Sequence, residues 1–198
     1  MVGRGEVAIV PTQAGPLDGD HDRVRLHVGA GAALRTVPIA ATLALPGSSR
    51  LELDATVEPG GVLVLDEPPL IVAEGADVVR RVRIALAPGA IAAVRDIVVL
   101  GRAGEGRGRL DSSLRATLDG RPLLHDALRI EPGAGDDHVA LPPRHRVIGT
   151  IALLGTRDAH EPALAGAGSL RRATGTDLPA VEAALADAWR RFSGTRGG

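Results

Sequence analysis

The chain has 198 residues, 44% of them hydrophobic and 24% charged, with a formal net charge of −1; that is enough apolar material to bury the core of one domain. A near-neutral balance and an aromatic content of 1% leave neither a basic footprint for phosphate backbones nor rings on which bases stack, so nucleic acid is not an expected partner. Cys, Tyr and Lys are all absent, which removes disulfides, thiolate metal sites, thiol nucleophiles, Schiff bases and the lysine of phosphate-binding loops.

The first residues carry charge but no apolar leader core follows them. The longest apolar runs, such as residues 147–154, fall far short of the roughly 20 residues of a membrane span. The expectation is a cytoplasmic protein with no membrane partner.

From residue 24 to residue 130 apolar residues alternate at period two between Gly and Pro punctuation, which predicts short strands with one buried face. Three segments superimpose at a shift of 29 residues: Val28-Gly-Ala-Gly31-Ala-Ala-Leu34, Val57-Glu-Pro-Gly60-Gly-Val-Leu63 and Leu86-Ala-Pro-Gly89-Ala-Ile-Ala92. Each reads as strand, tight turn, strand, with Gly31, Gly60 or Gly89 supplying the positive φ of the turn. An irregular fourth copy spans residues 114–124, where Asp119-Gly120 is a hairpin signal. Repeats of this length predict a mainly β fold of stacked, solenoid-like layers around one continuous core.

After Pro132 the character changes to loop signals at residues 133–137 and 141–143, then one strand at residues 147–154. The division is therefore a repeat β body over residues 1–132 and a loop, strand and helix segment over residues 133–198, packed on the same domain. Residues 177–192 read as a helix capped by Asp177, with Leu178, Val181, Leu185, Ala188, Trp189 and Phe192 on one face and Gly194 beyond its end. Residues 161–172 admit a second, weak helix, against which Pro162, Gly166 and Gly168 count.

Candidate ligand sets are sparse. Asp18-Gly-Asp20-His-Asp22 has alternating carboxylates, but Arg23 and Gly29 stand where a calcium loop requires Gly and Glu; a cation contact and a solvated acidic turn both remain open. Asp136-Asp-His138 with His145 is either a metal contact or plain loop surface, and the six His show no helical pair spacing. His125-Asp126 follows two leucines on a strand, so one of the pair faces inward, and an inward carboxylate requires a partner. Gly29-Ala-Gly31 lacks the third glycine and the helix of a dinucleotide site. The run of residues 101–109 reads either as an anion cradle with three arginines or as a mobile hairpin loop. No nucleophile elbow occurs, and Ser112-Ser113 has no evident His and Asp partners.

Taken in order, several segments resemble the UreD/UreH family of urease accessory proteins. Residues 14–20, ending in Gly19-Asp20, resemble its Gly-Gly-Asp turn, and residues 28–34 its first apolar, Pro-Gly-Ala unit. Glu67-Pro-Pro-Leu-Ile71 with Gly75-Ala76 resembles its Pro-Gln-x-x-Ile segment. Arg95-Asp96 through Leu100-Gly101-Arg102, with Gly104-Glu105 following, resembles its Trp-Asp/Glu-x-x-x-Leu-Gly-Arg signature with Arg95 in place of Trp. Leu123-Leu-His-Asp126 resembles its acidic strand, and the Trp189 to Phe192 helix its C-terminus. The resemblance implies a non-enzymatic β scaffold that binds a UreF-like helical accessory protein and, through it, a UreG-like GTPase on the urease apoprotein. It also implies Ni²⁺ in transit, with no tightly bound cofactor, along an internal watery route whose two acidic positions correspond to Asp20 and Asp126. Two other readings stand beside it: a β-solenoid protein-binding module without catalysis, and an enzyme built on two close carboxylates.

Overall fold

A computed structural model describes residues 4–10, 15–132, 141–142 and 144–194. Along the chain run β1 (Arg4–Val7), β2 (His21–Val28), β3 (Ala33–Thr36), β4 (Thr42–Ala44), β5 (Gly47–Val57), β6 (Val62–Asp66), β7 (Leu70–Val72), β8 (Ala76–Leu86), β9 (Ile91–Leu100), β10 (Arg109–Leu118), β11 (Arg121–Ile130), β12 (Val147–Leu154), β13 (Gly168–Gly175) and α1 (Leu178–Gly194). They form two facing sheets. One is ordered β1-β3-β6-β9-β12-β13, with β4 and β7 extending it beside β9; the other is ordered β11-β10-β8-β5-β2.

The 29-residue repeat is the register of the stack. Val28 pairs with Val57 and Val57 with Leu86 in the second sheet, while Ala33 pairs with Val62 and Val62 with Ile91 in the first. All these neighbours are parallel, so each coil of the chain lays one strand into each sheet and repeats. The three turns stack with Gly31, Gly60 and Gly89 at φ of 65°, 67° and 75°, and Gly31 N–H donates to Pro59 O at 3.0 Å. The fold is the mainly β, solenoid-like stack the repeats predict.

The fourth copy departs from its predecessors. Its turn at Asp119-Gly120 still stacks on the third, with Asp119 N–H donating to Leu86 O at 2.9 Å. The chain then reverses, and β11 runs antiparallel on β10 within the same sheet. The opposite sheet is completed by β12 and β13, both antiparallel. Asp-Gly favours the tight reversal that closes a hairpin, which explains why propagation stops here.

The second helix allowed for residues 161–172 is not formed: Ala163 bridges Ser169, and β13 starts at Gly168. Pro and Gly make a helix expensive there, whereas pairing with β12 satisfies the backbone. One helix therefore occurs among the described residues. Asp177 caps it, its Oδ1 accepting from Ala180 N–H at 2.9 Å. Its apolar face, Val181, Leu185, Ala188, Trp189 and Phe192, covers the outer side of the first sheet against Val64, Ile91, Ala93, Ile97, Ile151 and Leu153. The close approach depends on Gly149, where an added Cβ would lie 2.6 Å from both Leu185 Cδ1 and Val181 Cγ1. Arg95 stacks over Trp189 at 5.3 Å from the ring centre and bonds Asp66 at 2.6 Å.

Candidate functional site

Between the sheets the core is not uniformly apolar. Towards the stacked turns lies a cluster containing Val82, Val94, Leu114 and Ala152. Towards the other end lies one containing Val78, Val98, Leu110 and Ile148. On each of the four central strands the inward residue between those two is polar: Arg80 on β8, Asp96 on β9, Ser112 on β10 and Thr150 on β12. Register puts them at one level, since Arg80 pairs with Ser112 and Asp96 with Thr150. Burying such a row costs stability unless its members are paired.

Two of the four, Arg80 and Asp96, are paired across the sandwich, and Thr150 is held within its own sheet by Arg172. Arg80 Nη1 meets Asp96 Oδ1 at 2.5 Å, with side chains 8% and 20% exposed. Burial opposes the charge on Arg80, but Asp96 and Glu67 outweigh it and raise its pKa. Glu67 itself is pushed up by burial, against the pull of Arg80. Among the described residues its carboxylate has neither a hydrogen bond nor an ion pair.

Two cavities flank the Arg80–Asp96 pair. The larger, about 390 Å³, is bounded by the acids Asp20, Asp22, Glu52 and Glu67 and the arginines Arg23, Arg80 and Arg81, together with apolar Leu51, Leu53, Leu70 and Val82. Ile9 and Val10 also line it, and both are exposed, at 39% and 62%. The smaller, about 20 Å³, has room for about one water and is lined by Asp96, Ser112, Ser113, Asp126, Thr150 and Arg172. Asp126 is paired there with Arg172, whose Nε also donates to Thr150 Oγ1 at 3.0 Å. The inward carboxylate of residues 125–126 is thus Asp126, and Arg172 is its partner; His125 faces out beside Arg115.

Asp20 and Asp126 therefore line different cavities, with Arg80 and Asp96 between. Asp20 also holds a turn, its Oδ2 accepting from Leu17 N–H at 2.7 Å. Asp18 and Gly19 tie that turn to the next coil through Ser48, at 2.8 Å and 2.7 Å. Among the described residues no group of three or more His, Asp or Glu is arranged to hold a metal ion. Asp136, Asp137 and His138 lie outside the described residues, and His145 Nδ1 lies 2.8 Å from Thr174 Oγ1.

The Leu100-Gly101-Arg102 signature builds a corner rather than a pocket. Leu100 is fully buried. At Gly101 φ is 79° and a Cβ would lie 2.1 Å from Gly106 O. Arg102 Nε bonds Glu105 at 2.7 Å, and that bond, with burial opposing, holds Glu105 down at about 2. Arg146 caps the carbonyls of Leu100 and Glu105. Residues 101–108 are thus the crossing from one sheet to the other, tied at several points, and not a hairpin loop.

Sequence reading missed Arg80 and Glu67 as site residues. The available signal was a polar residue breaking the same inward alternation on four strands, together with a carboxylate beside two prolines.

These features define a class: a short β-solenoid with a polar, cavity-flanked waist through an apolar core. The UreD urease accessory protein family matches residues 3–196, and the chain belongs to that family. It is 39% identical to urease accessory protein UreD 1 of Streptomyces griseus, over 94% of this chain and 78% of that protein. It is 40% identical to UreD of Streptomyces coelicolor over 79% of this chain, spanning 64% of the relative's length. Identity to UreD 1 of Saccharopolyspora erythraea is 34%, over 94% and 78%.

Proposed function

We propose that this chain acts in the cytoplasm as a scaffold for nickel insertion into urease apoprotein, working with a UreF-like helical protein and a UreG-like GTPase. The observation that carries the reading is the polar waist between the sheets. Four inward polar residues at one level border a wide cavity of mixed charge that holds Asp20 and a smaller one that holds Asp126. An apolar row in those positions would serve the core as well or better, so their presence points to a function.

Ni²⁺ is cargo in this scheme. Asp20 and Asp22 at the wide cavity attract the hydrated cation, and hydroxyls and water support it across the waist. Asp126 receives it on the far side. Single carboxylates with water bind loosely enough to release, as a conduit requires. The exposed apolar rim at Ile9 and Val10 beside the wide cavity suits coverage by the helical partner, which then hands cations to the cavity directly.

The test replaces Asp20 or Asp126 by Ala in cells carrying the urease apoprotein and both partners. Urease activation falls at least several-fold while co-purification of the assembly is unchanged. Activation and assembly falling together marks the acids as structural; neither falling removes the route.

A further inference from the structure

We infer that Arg80 is a resident cation that gates passage between the two cavities, standing where a metal ion in transit would otherwise rest between Glu67 and Asp96. The inference rests on the cation-route reading above and names the residue that sets its selectivity.

Three observations carry it. Arg80 bounds the wide cavity but not the small one, Asp96 bounds the small one but not the wide one, and their 2.5 Å ion pair lies between the two. Arg80 is buried, so its charge is little screened by solvent at the point a second cation must pass. Its pin holds only one of its two acidic neighbours: Asp96 is bonded to it, whereas Glu67 feels its charge without a bond. The trio therefore has an unused carboxylate on the cavity side. A guanidinium stays protonated at any physiological pH and donates without accepting, so it cannot itself bind a metal. It keeps divalent ions from settling at the waist until Asp96 releases it.

The gate makes a prediction that does not depend on urease. Removing the charge leaves Glu67 and Asp96 without their shared counter-ion, and the waist acquires a divalent-cation site. Titration of the full chain with Ni²⁺ alone, by calorimetry, is expected to give at least tenfold tighter binding for Arg80→Gln than for the wild type. The gain disappears in Arg80→Gln/Glu67→Gln, and Arg80→Lys, which keeps the cation, remains like wild type. Wild-type affinity in Arg80→Gln overturns the gate.

Circular dichroism checks the fold of each variant. Should Arg80→Gln not fold, Arg80→Gln/Asp96→Asn keeps the net charge of the trio and leaves no orphaned partner. It is expected to bind Ni²⁺ at least threefold more tightly than wild type through Glu67, and no gain overturns the gate. The route and the gate fail separately. Unchanged activation in Asp20→Ala and Asp126→Ala removes the route while leaving the Arg80→Gln gain intact, whereas loss in those variants with no Arg80→Gln gain removes only the gate.

Discussion

Replacing Gly60 by Ala probes the stacked turns on which the whole register depends. Gly60 sits at φ 67°, and a Cβ there would meet only Gly31 Cα at 3.9 Å and Gly31 N at 4.0 Å, so space is available and the penalty is conformational. A left-handed backbone costs an L-residue about 1–2 kcal/mol. The lost flexibility of the unfolded chain returns roughly 0.4–1 kcal/mol, leaving a net loss near 1 kcal/mol. Asn, which tolerates this region, costs less, and Val costs more. Gly61→Ala tests the opposite case, because its Cβ would lie 2.9 Å from Glu58 O and 3.1 Å from Gly29 O. Those are backbone atoms held by the stack and they cannot move aside, so its loss exceeds that of Gly60→Ala. Pulse proteolysis across a urea series in clarified lysate gives the stabilities without purification. The order Gly60→Asn, Gly60→Ala, Gly60→Val, with Gly61→Ala beyond Gly60→Ala, is expected. Equal stabilities for Gly60→Ala and wild type would refute the stacked-turn reasoning.

Trp189, 9% exposed on the buried face of α1, is expected to cost about 3–5 kcal/mol on replacement by Ala, read from the same urea series; a loss below about 1 kcal/mol would mean the helix does not depend on this anchor. Hydrogen bonds from Arg23, with burial opposing and His21 and Arg50 assisting, hold Glu52 at about 2 against its ordinary 4.5. Because that value is depressed on folding, its stabilisation is complete above about 4.5 and is lost as pH falls toward about 2; Glu52→Gln should flatten the acid limb of the stability profile, and an unchanged limb would contradict the assignment. Co-expression with a UreF-like partner is expected to raise the soluble yield and give co-elution on size exclusion, since the exposed Val10 and Ile39, at 62% and 65%, are then covered. A soluble chain that never co-elutes favours the general binding-module reading.

The layered fold was legible because the repeat is written in local chemistry. A glycine recurring every 29 residues fixes the turn, and alternation on either side fixes the buried face. The helix was legible from the Asp177 cap and the spacing of Val181, Leu185 and Ala188. Strand β13 was not, because Gly168-Ser-Leu-Arg-Arg-Ala carries little intrinsic preference and takes its form from pairing with β12. That one of His125 and Asp126 faces inward was legible, but not that it is Asp126, whose partner Arg172 is 46 residues away. Arg80 and Asp96 show the same limit: alternation tells which way each side chain points, whereas their meeting across the sandwich depends on how the two sheets face.

Nickel content of urease recovered from cells carrying Ser112→Ala/Thr150→Val tests the waist most directly. These changes leave every acid and Arg80 in place and alter volume little, while the small cavity loses the hydroxyls of the row and Arg172 Nε loses its acceptor at Thr150. Elemental analysis of the purified urease is expected to show a several-fold drop in nickel per active site, with the assembly intact and the stability of the chain within about 1.5 kcal/mol of wild type. Full nickel loading in that urease would contradict passage between the sheets.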